Sequence, residues 1–320
     1  MRRREFIRLL SGAAAVGAAA VGAALATRPE HAQAQPVKWS AGTEPAKLKA
    51  PPSAADCHHH IYDARYPADP KAALRPPDAL IEDYRALQRR IGTSRNVIVT
   101  PSTYGTDNRV TLDALAAFGP QARAVAVVND SVPDAELKRM DALGVRGIRF
   151  NLAQAGATTS EMIEPLAKRV NELGWHIQIS APVSTVRSIM GILERVPSPI
   201  VFDHLARIPE PAGVNDPFFA QVRALIDKGR TWVKLSGAYI SSQIGPPTYA
   251  DASVVARAYV KAAPERMVWG SDWPHPSEPN VKPDDALLFD LLADWAPDEA
   301  ARHRILVENP EVLYGFPKSM

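Results

Sequence analysis

A single cysteine, Cys57, in 320 residues excludes an internal disulfide. In an oxidising compartment such a thiol is safest inside the core. Charge is nearly balanced as well, 37 Lys and Arg against 35 Asp and Glu, which argues against a nucleic-acid face or an acidic membrane surface as partner. No long apolar run is present. The best candidate, Ala13 to Ala26, is short for a bilayer span and built largely of Ala and Gly, which insert poorly. No Gly-x-Gly-x-x-Gly turn follows the first strand-like run, which disfavours an open dinucleotide-binding sheet. Nor is there an internal repeat of the kind a solenoid needs.

What the chain does contain starts with a segment outside the fold. Residues 1–34 read as a Tat-type signal peptide: Arg3-Arg4-Glu5-Phe6, the weakly apolar stretch, then Ala32-Gln33-Ala34. The expectation is a periplasmic or exported protein, with the Tat translocon as a transient partner and no stable membrane insertion. Five arginines and two glutamates lie in this segment, so its removal turns the slight positive excess slightly negative. Residues 35–52, rich in Pro, Lys and small side chains, form a leader without periodicity. Residues 53–320 are long enough for one large domain of the size, about 250 residues, of a (β/α)8 barrel.

Eight short apolar or alternating runs read as strands: 53–60, Asn96–Thr100, Arg123–Val128, Gly147–Asn151, Trp175–Ser180, Pro199–His204, Thr231–Ser236 and Arg266–Ser271. Helix-period segments lie between them, including Asp78–Ile91, Asp134–Leu143, Glu161–Leu173 and Phe218–Lys228, each followed by a glycine stop. Strand and helix alternating eight times implies an α/β fold, a closed (β/α)8 TIM barrel.

Chemistry in such a barrel sits where strands end. Alternation along the first strand puts Asp56, His58 and His60 on one face and Cys57 and His59 on the other. Closure places Asp272, after the eighth strand, beside those histidines. Other strand ends supply Ser102, Tyr104 and Asn108 (second), Arg149 and Asn151 (fourth), Gln178 and Ser180 (fifth), Asp203, His204 and Arg207 (sixth), and Lys234 and Ser236 (seventh). A lone histidine here would be an ordinary core residue; three with an aspartate at one mouth point to catalysis.

The ordered motifs Asp56-Cys57-His58-His59-His60, Tyr104-Gly105-Thr106-Asp107-Asn108, Arg146-Gly147-Ile148-Arg149-Phe150-Asn151, Phe202-Asp203-His204-Leu205-Ala206-Arg207 and Gly270-Ser271-Asp272-Trp273-Pro274-His275 resemble the amidohydrolase superfamily. They are most similar to its branch of lactone hydrolases and galactarolactone-type isomerases. A full zinc site in that superfamily takes a further histidine from strand five and often a lysine or acid from strand four. Here those strands end in Gln178 and Ser180, and in Arg149 and Asn151. His176 lies near the start of its strand, about 13 Å from the mouth, and reads as structural. Zinc on His58, His60, His204 and Asp272 is chemically acceptable, but the resemblance implies that many members work without metal, so no cofactor is favoured.

The expected reaction is hydrolysis of a carboxylated lactone. Asp272 takes a proton from water, and His58, His60 and His204 hold the water and polarise the carbonyl. Arg149 and Arg207 anchor carboxylate, with Ser102, Tyr104, Asn108, Asn151, Gln178, Ser236, Tyr239 and His275 as further binding candidates. Plainer readings exist for these: rim ion pairs for the arginines, helix capping for Asn108, packing for Tyr239. The alternatives are an aldarolactone isomerase using the same base, a metal-dependent decarboxylase or amidohydrolase on the same barrel, and an exported binder of organic acids.

Overall fold

The computed structural model describes residues 36–153 and 156–319, so the signal-like segment lies outside the described residues. Eight parallel strands pair in sequence order: β1 Ala55–His59, β2 Arg95–Val99, β3 Ala122–Ala126, β4 Val145–Asn151, β5 His176–Ser180, β6 Ile200–Phe202, β7 Thr231–Leu235 and β8 Met267–Trp269. All eight expected strands are present. The helices include α1 Ile81–Ile91, α2 Arg109–Phe118, α3 Asp134–Leu143, α4 Ile163–Asn171, α5 Val183–Arg195, α6 Pro217–Asp227, α7 Ala238–Ser241, α8 Ala250–Ala262 and α9 Asp285–Trp295. Helix α3 has the bounds read from the sequence and stops at Gly144, whose φ of 108° suits glycine. Among the described residues, no helix is long and apolar enough to cross a membrane.

Alternation along the strands divides the core into two layers. Ile148, Phe150, Ile177, Ile179, Phe202, Val233 and Leu235 pack outward beneath the helices. Val97, Val99, Val125, Val201, Trp232 and Val268 fill the lower barrel together with Tyr314 and Phe316 from the C-terminal segment. Above them the interior turns polar: His176, Gln178 and Lys234 are all buried. Residues 36–52 carry no helix or strand. They lie against α1 and α9 through Arg90, which bonds to Glu44, Ser40, Ala41 and Asp284, and Trp273 Nε1 donates to Lys38 O.

The first strand departs from simple alternation. Asp56 pairs with Asn96 but His59 pairs with Ile98, so one extra residue bulges out of β1. Cys57 points into the barrel with Val97 and Val99. Asp56 points away from His58 and His60 and meets Tyr84 on α1, the ring on which His59 stacks at 3.5 Å. The expectation that Asp56 shares a face with His58 and His60 is corrected, because the bulge resets the face between Cys57 and His58.

Beyond β8 the barrel is sealed by the segment Gly270–Trp273. Asp272 N donates to His58 O and His60 N to Trp273 O, both at 2.8 Å. At Gly270 a side chain would begin 2.7 Å from His58 Cβ, so the approach requires glycine. The Asp56 carboxylate clasps the seam, accepting from His58 N, Ser271 N, Ser271 Oγ and Tyr84 OH. Burial pushes Asp56 up to about 6 against the pull of those four donors. Asp56→Ala would strand several buried donors at once, so the free energy of unfolding should fall by about 3 kcal/mol. A urea titration that finds less than about 1 kcal/mol would show that the seam closes without this carboxylate.

Candidate active site

Three imidazoles surround one carboxylate at the barrel mouth. Asp272 Oδ1 lies 3.4 Å from His58 Nε2, 3.5 Å from His60 Nε2 and 3.8 Å from His204 Nε2. The four side chains are buried. The local backbone is strained to achieve this. Asp272 has φ 63°, and His204, Leu205, Ala206 and Arg207 have φ between 52° and 57°, a left-handed turn of four non-glycine residues. Such conformations cost roughly 1–2 kcal/mol each. The turn is tight enough that His204 and Arg207 line the same cavity.

Neighbours orient each ring. His60 Nδ1 is 2.7 Å from Val99 O, which only accepts, so that nitrogen carries the proton. His204 Nδ1 meets Ser236 Oγ at 3.0 Å. Burial pushes His204 down to about 4, although Asp272 and Asp203 pull it upward. Burial and the Lys234 charge likewise hold His58 well below the usual histidine range, outweighing Asp203 and Asp272. Both rings are therefore neutral at pH 7. Burial alone would raise Asp272, but the attraction of the surrounding imidazoles, His204 first, as they gain their protons on the acid side keeps it well below the usual carboxylate range. Its Oδ2 accepts from Tyr239 OH at 2.7 Å. Tyr239 OH also lies 3.0 Å from His275 Nδ1, and His275 Nε2 is 3.1 Å from Asp285 Oδ2.

Beneath the histidines is a second charged group. Lys234 Nζ donates to Cys57 O and Gln178 Oε1, each at 2.8 Å, and lies 3.1 Å from His58 Nδ1. Asp203 Oδ1 stands 3.7 Å away, and its Oδ2 accepts from Arg149 Nε at 3.0 Å. Burial brings Lys234 down to about 8 against the pull of Asp203. Burial opposes ionisation of Asp203, yet His58, Arg149 and Lys234 hold it well below the carboxylate range.

Above this cluster a cavity is lined by His60, Ser102, Arg149, Asn151, His204, Arg207 and Asp272, all expected site residues, and also by Tyr62 and Ser180. Three buried polar atoms of that lining have no partner: Arg207 Nε, Asn151 Oδ1 and Ser180 Oγ. Such groups are costly unless something fills the cavity and bonds them.

Other expected site residues take different places. Tyr104 OH is spent on the backbone of Asp63, and Asn108 ties Thr100 to Val127, so both brace loops rather than reach a ligand. Gln178 holds Lys234, Ser236 holds His204, and Tyr239 and His275 stand behind Asp272. His275 is fully buried, so it does not donate into the cavity. His176 is buried deep in the barrel against Tyr314, as a structural histidine. Asp203 and Lys234 are strand-end residues to which the sequence alone assigns no role. The available signal was a charged residue at an inward position of β7, in phase with Trp232.

Among the described residues, His58, His204 and Asp272 offer atoms within 4.8 Å of one another, close enough to hold one metal ion. Ligating imidazoles carry their proton on the far nitrogen and donate it to a carbonyl or carboxylate. His60 has such a partner in Val99 O, whereas His58 Nδ1 lies 3.1 Å from the Lys234 ammonium, which only donates, and 3.2 Å from Asp203 Oδ1 without a hydrogen bond to it. The triad thus has the reach of a metal site, but its central ring is not poised to ligate.

Similar proteins align with most of this chain. A 4-sulfomuconolactone hydrolase of Rhizobium radiobacter is 36% identical over 282 residues, spanning 86% of this chain and 94% of the relative. A D-galactarolactone isomerase of Agrobacterium fabrum is 35% identical, spanning 87% and 96%. A solved apo structure from Agrobacterium tumefaciens superposes with a TM-score of 0.79 at 34% identity, covering 85% of this chain and 98% of that one. The amidohydrolase family model matches residues 55–316, the whole barrel with its closing segment, and the chain belongs to that family.

Proposed function

We propose that this enzyme hydrolyses a lactone bearing at least one free carboxylate, without a resident metal. The observation that carries the reading is an ionised Asp272 ringed by imidazoles beneath a cavity that holds two arginines and three unpartnered polar atoms. Arginine is suited to carboxylate through its paired N–H groups, and the names of the similar proteins, a sulfomuconolactone hydrolase and a galactarolactone isomerase, support a lactone as substrate.

In this mechanism Arg207 and Arg149 bind the substrate carboxylate and set the lactone carbonyl over the cluster. Asp272 takes a proton from a water as the water oxygen adds to that carbonyl. Negative charge on the carbonyl oxygen is met by ring N–H groups, His204 Nε2 among them when its Nδ1 accepts from Ser236. The ring C–O bond then breaks, and the proton passes from Asp272 to the departing oxygen. Tyr239 keeps Oδ2 engaged, so Oδ1 is the atom turned toward the imidazoles. A substrate hydroxyl held in the place of water would attack the same carbonyl and move the lactone instead of opening it. The isomerase among the relatives favours keeping that second outcome.

Asp272→Asn should lower kcat by about 10²–10⁴-fold with little change in KM; most of the turnover surviving would remove Asp272 as base. Arg207→Met should raise KM for a carboxylated lactone by roughly tenfold or more, as for one charged hydrogen bond of about 1.5–3 kcal/mol. An uncharged lactone should be unaffected, and equal losses on both would end the anchoring role. Because His204 stays neutral down to about pH 4, activity on the acid side should hold between about pH 5 and 7 and decline only as that ring gains its proton near 4. A kcat/KM profile falling through about 6.5, the ordinary histidine value, would contradict this assignment.

A further inference from the structure

The geometry points to Lys234 as the residue that fixes the His58 proton on Nε2 and thereby keeps a latent zinc triad, His58, His204 and Asp272, from binding metal. An ammonium has three N–H donors and no lone pair. Lys234 directs them at Cys57 O, Gln178 Oε1 and His58 Nδ1, at 2.8, 2.8 and 3.1 Å. The Cys57 carbonyl that Lys234 meets lies in the irregular stretch of β1 between Asp56 and His59. Gln178 turns its oxygen to the lysine and leaves its own Nε2 unpartnered, so the amide is set by Lys234 rather than the reverse.

His58 Nδ1 must then present a lone pair, and its proton sits on Nε2. From there the direction of donation is forced. His58 Nε2 lies 3.3 Å from His60 Nε2, and His60 Nε2 is an acceptor because its Nδ1 proton goes to Val99 O. One chain of donors runs from Lys234 through His58 and His60 to Val99. The rival acceptor for a proton on His58 Nδ1 is Asp203 Oδ1, 3.2 Å away. That approach is misaligned for a hydrogen bond, and the oxygen is left without a partner.

The same arrangement explains the metal behaviour expected of the cluster. With a proton on Nε2, His58 offers no lone pair to an ion beside Asp272. Lys234→Met removes the donor at Nδ1, so the ring can carry its proton there, and a small rotation toward Asp203 Oδ1, 3.2 Å away, would let that carboxylate accept it. A carboxylate behind a histidine of this kind is the usual support of a zinc ligand. Lys234 thus acts through His58, as a positioning residue, whatever the substrate.

The deciding experiment is 15N–1H NMR of the [15N]histidine-labelled full chain, with His58 assigned by difference against His58→Gln. The wild type should show the Nε2–H form of His58, and Lys234→Met should move it to Nδ1–H. Titration with zinc alone should show Lys234→Met binding at least 100-fold more tightly than wild type, one ion per chain. An Nδ1–H ring in the wild type overturns the assignment without any variant being needed. An unchanged tautomer or unchanged zinc affinity in a folded Lys234→Met overturns it equally. Neither readout depends on turnover, so the outcome is separate from that of the lactone reading.

Discussion

The site depends on how the barrel is sealed. Eight parallel strands leave two edges that must meet, and here the last contact is made beyond β8, by Asp272 N to His58 O and Trp273 O to His60 N. The two bonds that close the sheet are the two that bring the carboxylate to the histidines. Closure and active-site assembly are one event, and the Asp56 clasp on Ser271 holds both. An unpaired strand edge is a general liability of sheets, and this fold removes it while building its reactive centre.

Two costs accompany that economy. Backbone strain is concentrated in the four left-handed residues His204–Arg207 and at Asp272, a pattern that persists only where surroundings over-determine it. Charge is buried as well, since Lys234 and Asp203 are fully inside the barrel. Their burial is tolerable because almost every donor and acceptor is spent on another: Lys234 on the Cys57 carbonyl, Asp203 on Arg149. Removing either partner of such a set leaves an uncompensated charge, which ties the stability of the barrel interior to the integrity of the site above it.

The cavity carries a different imbalance. Arg207, Asn151 and Ser180 line that space, and each keeps one buried polar atom that no protein group bonds. Polar atoms left this way are rare in folded proteins outside binding sites. In the proposed mechanism reaction and recognition divide between the two halves of the mouth: Asp272 stands on the β1 and β8 side, and the arginines on the β4 to β6 side.

Much of this was legible in the residues. Strand-period runs ending in polar groups, helices stopping at glycines and the paired motifs at 58–60 and 270–275 were enough for the barrel and for Asp272 with His58, His60 and His204. Alternation failed at Asp56 because a bulge is a property of the β1–β2 pairing, set by the partner strand. Tyr104 and Asn108 carry side chains that suit ligands, but whether they meet a cavity or a neighbouring backbone depends on loops from other units. The role of Lys234 was hidden for the same reason, since its three acceptors come from β1 and β5. By itself, then, the sequence determined the local elements, their order and the chemical types at each strand end, because these follow from periodicity and composition. Only the tertiary structure decided which nitrogen of His58 meets the lysine and which polar atoms are left for a ligand, because hydrogen-bond direction arises between residues distant in the chain.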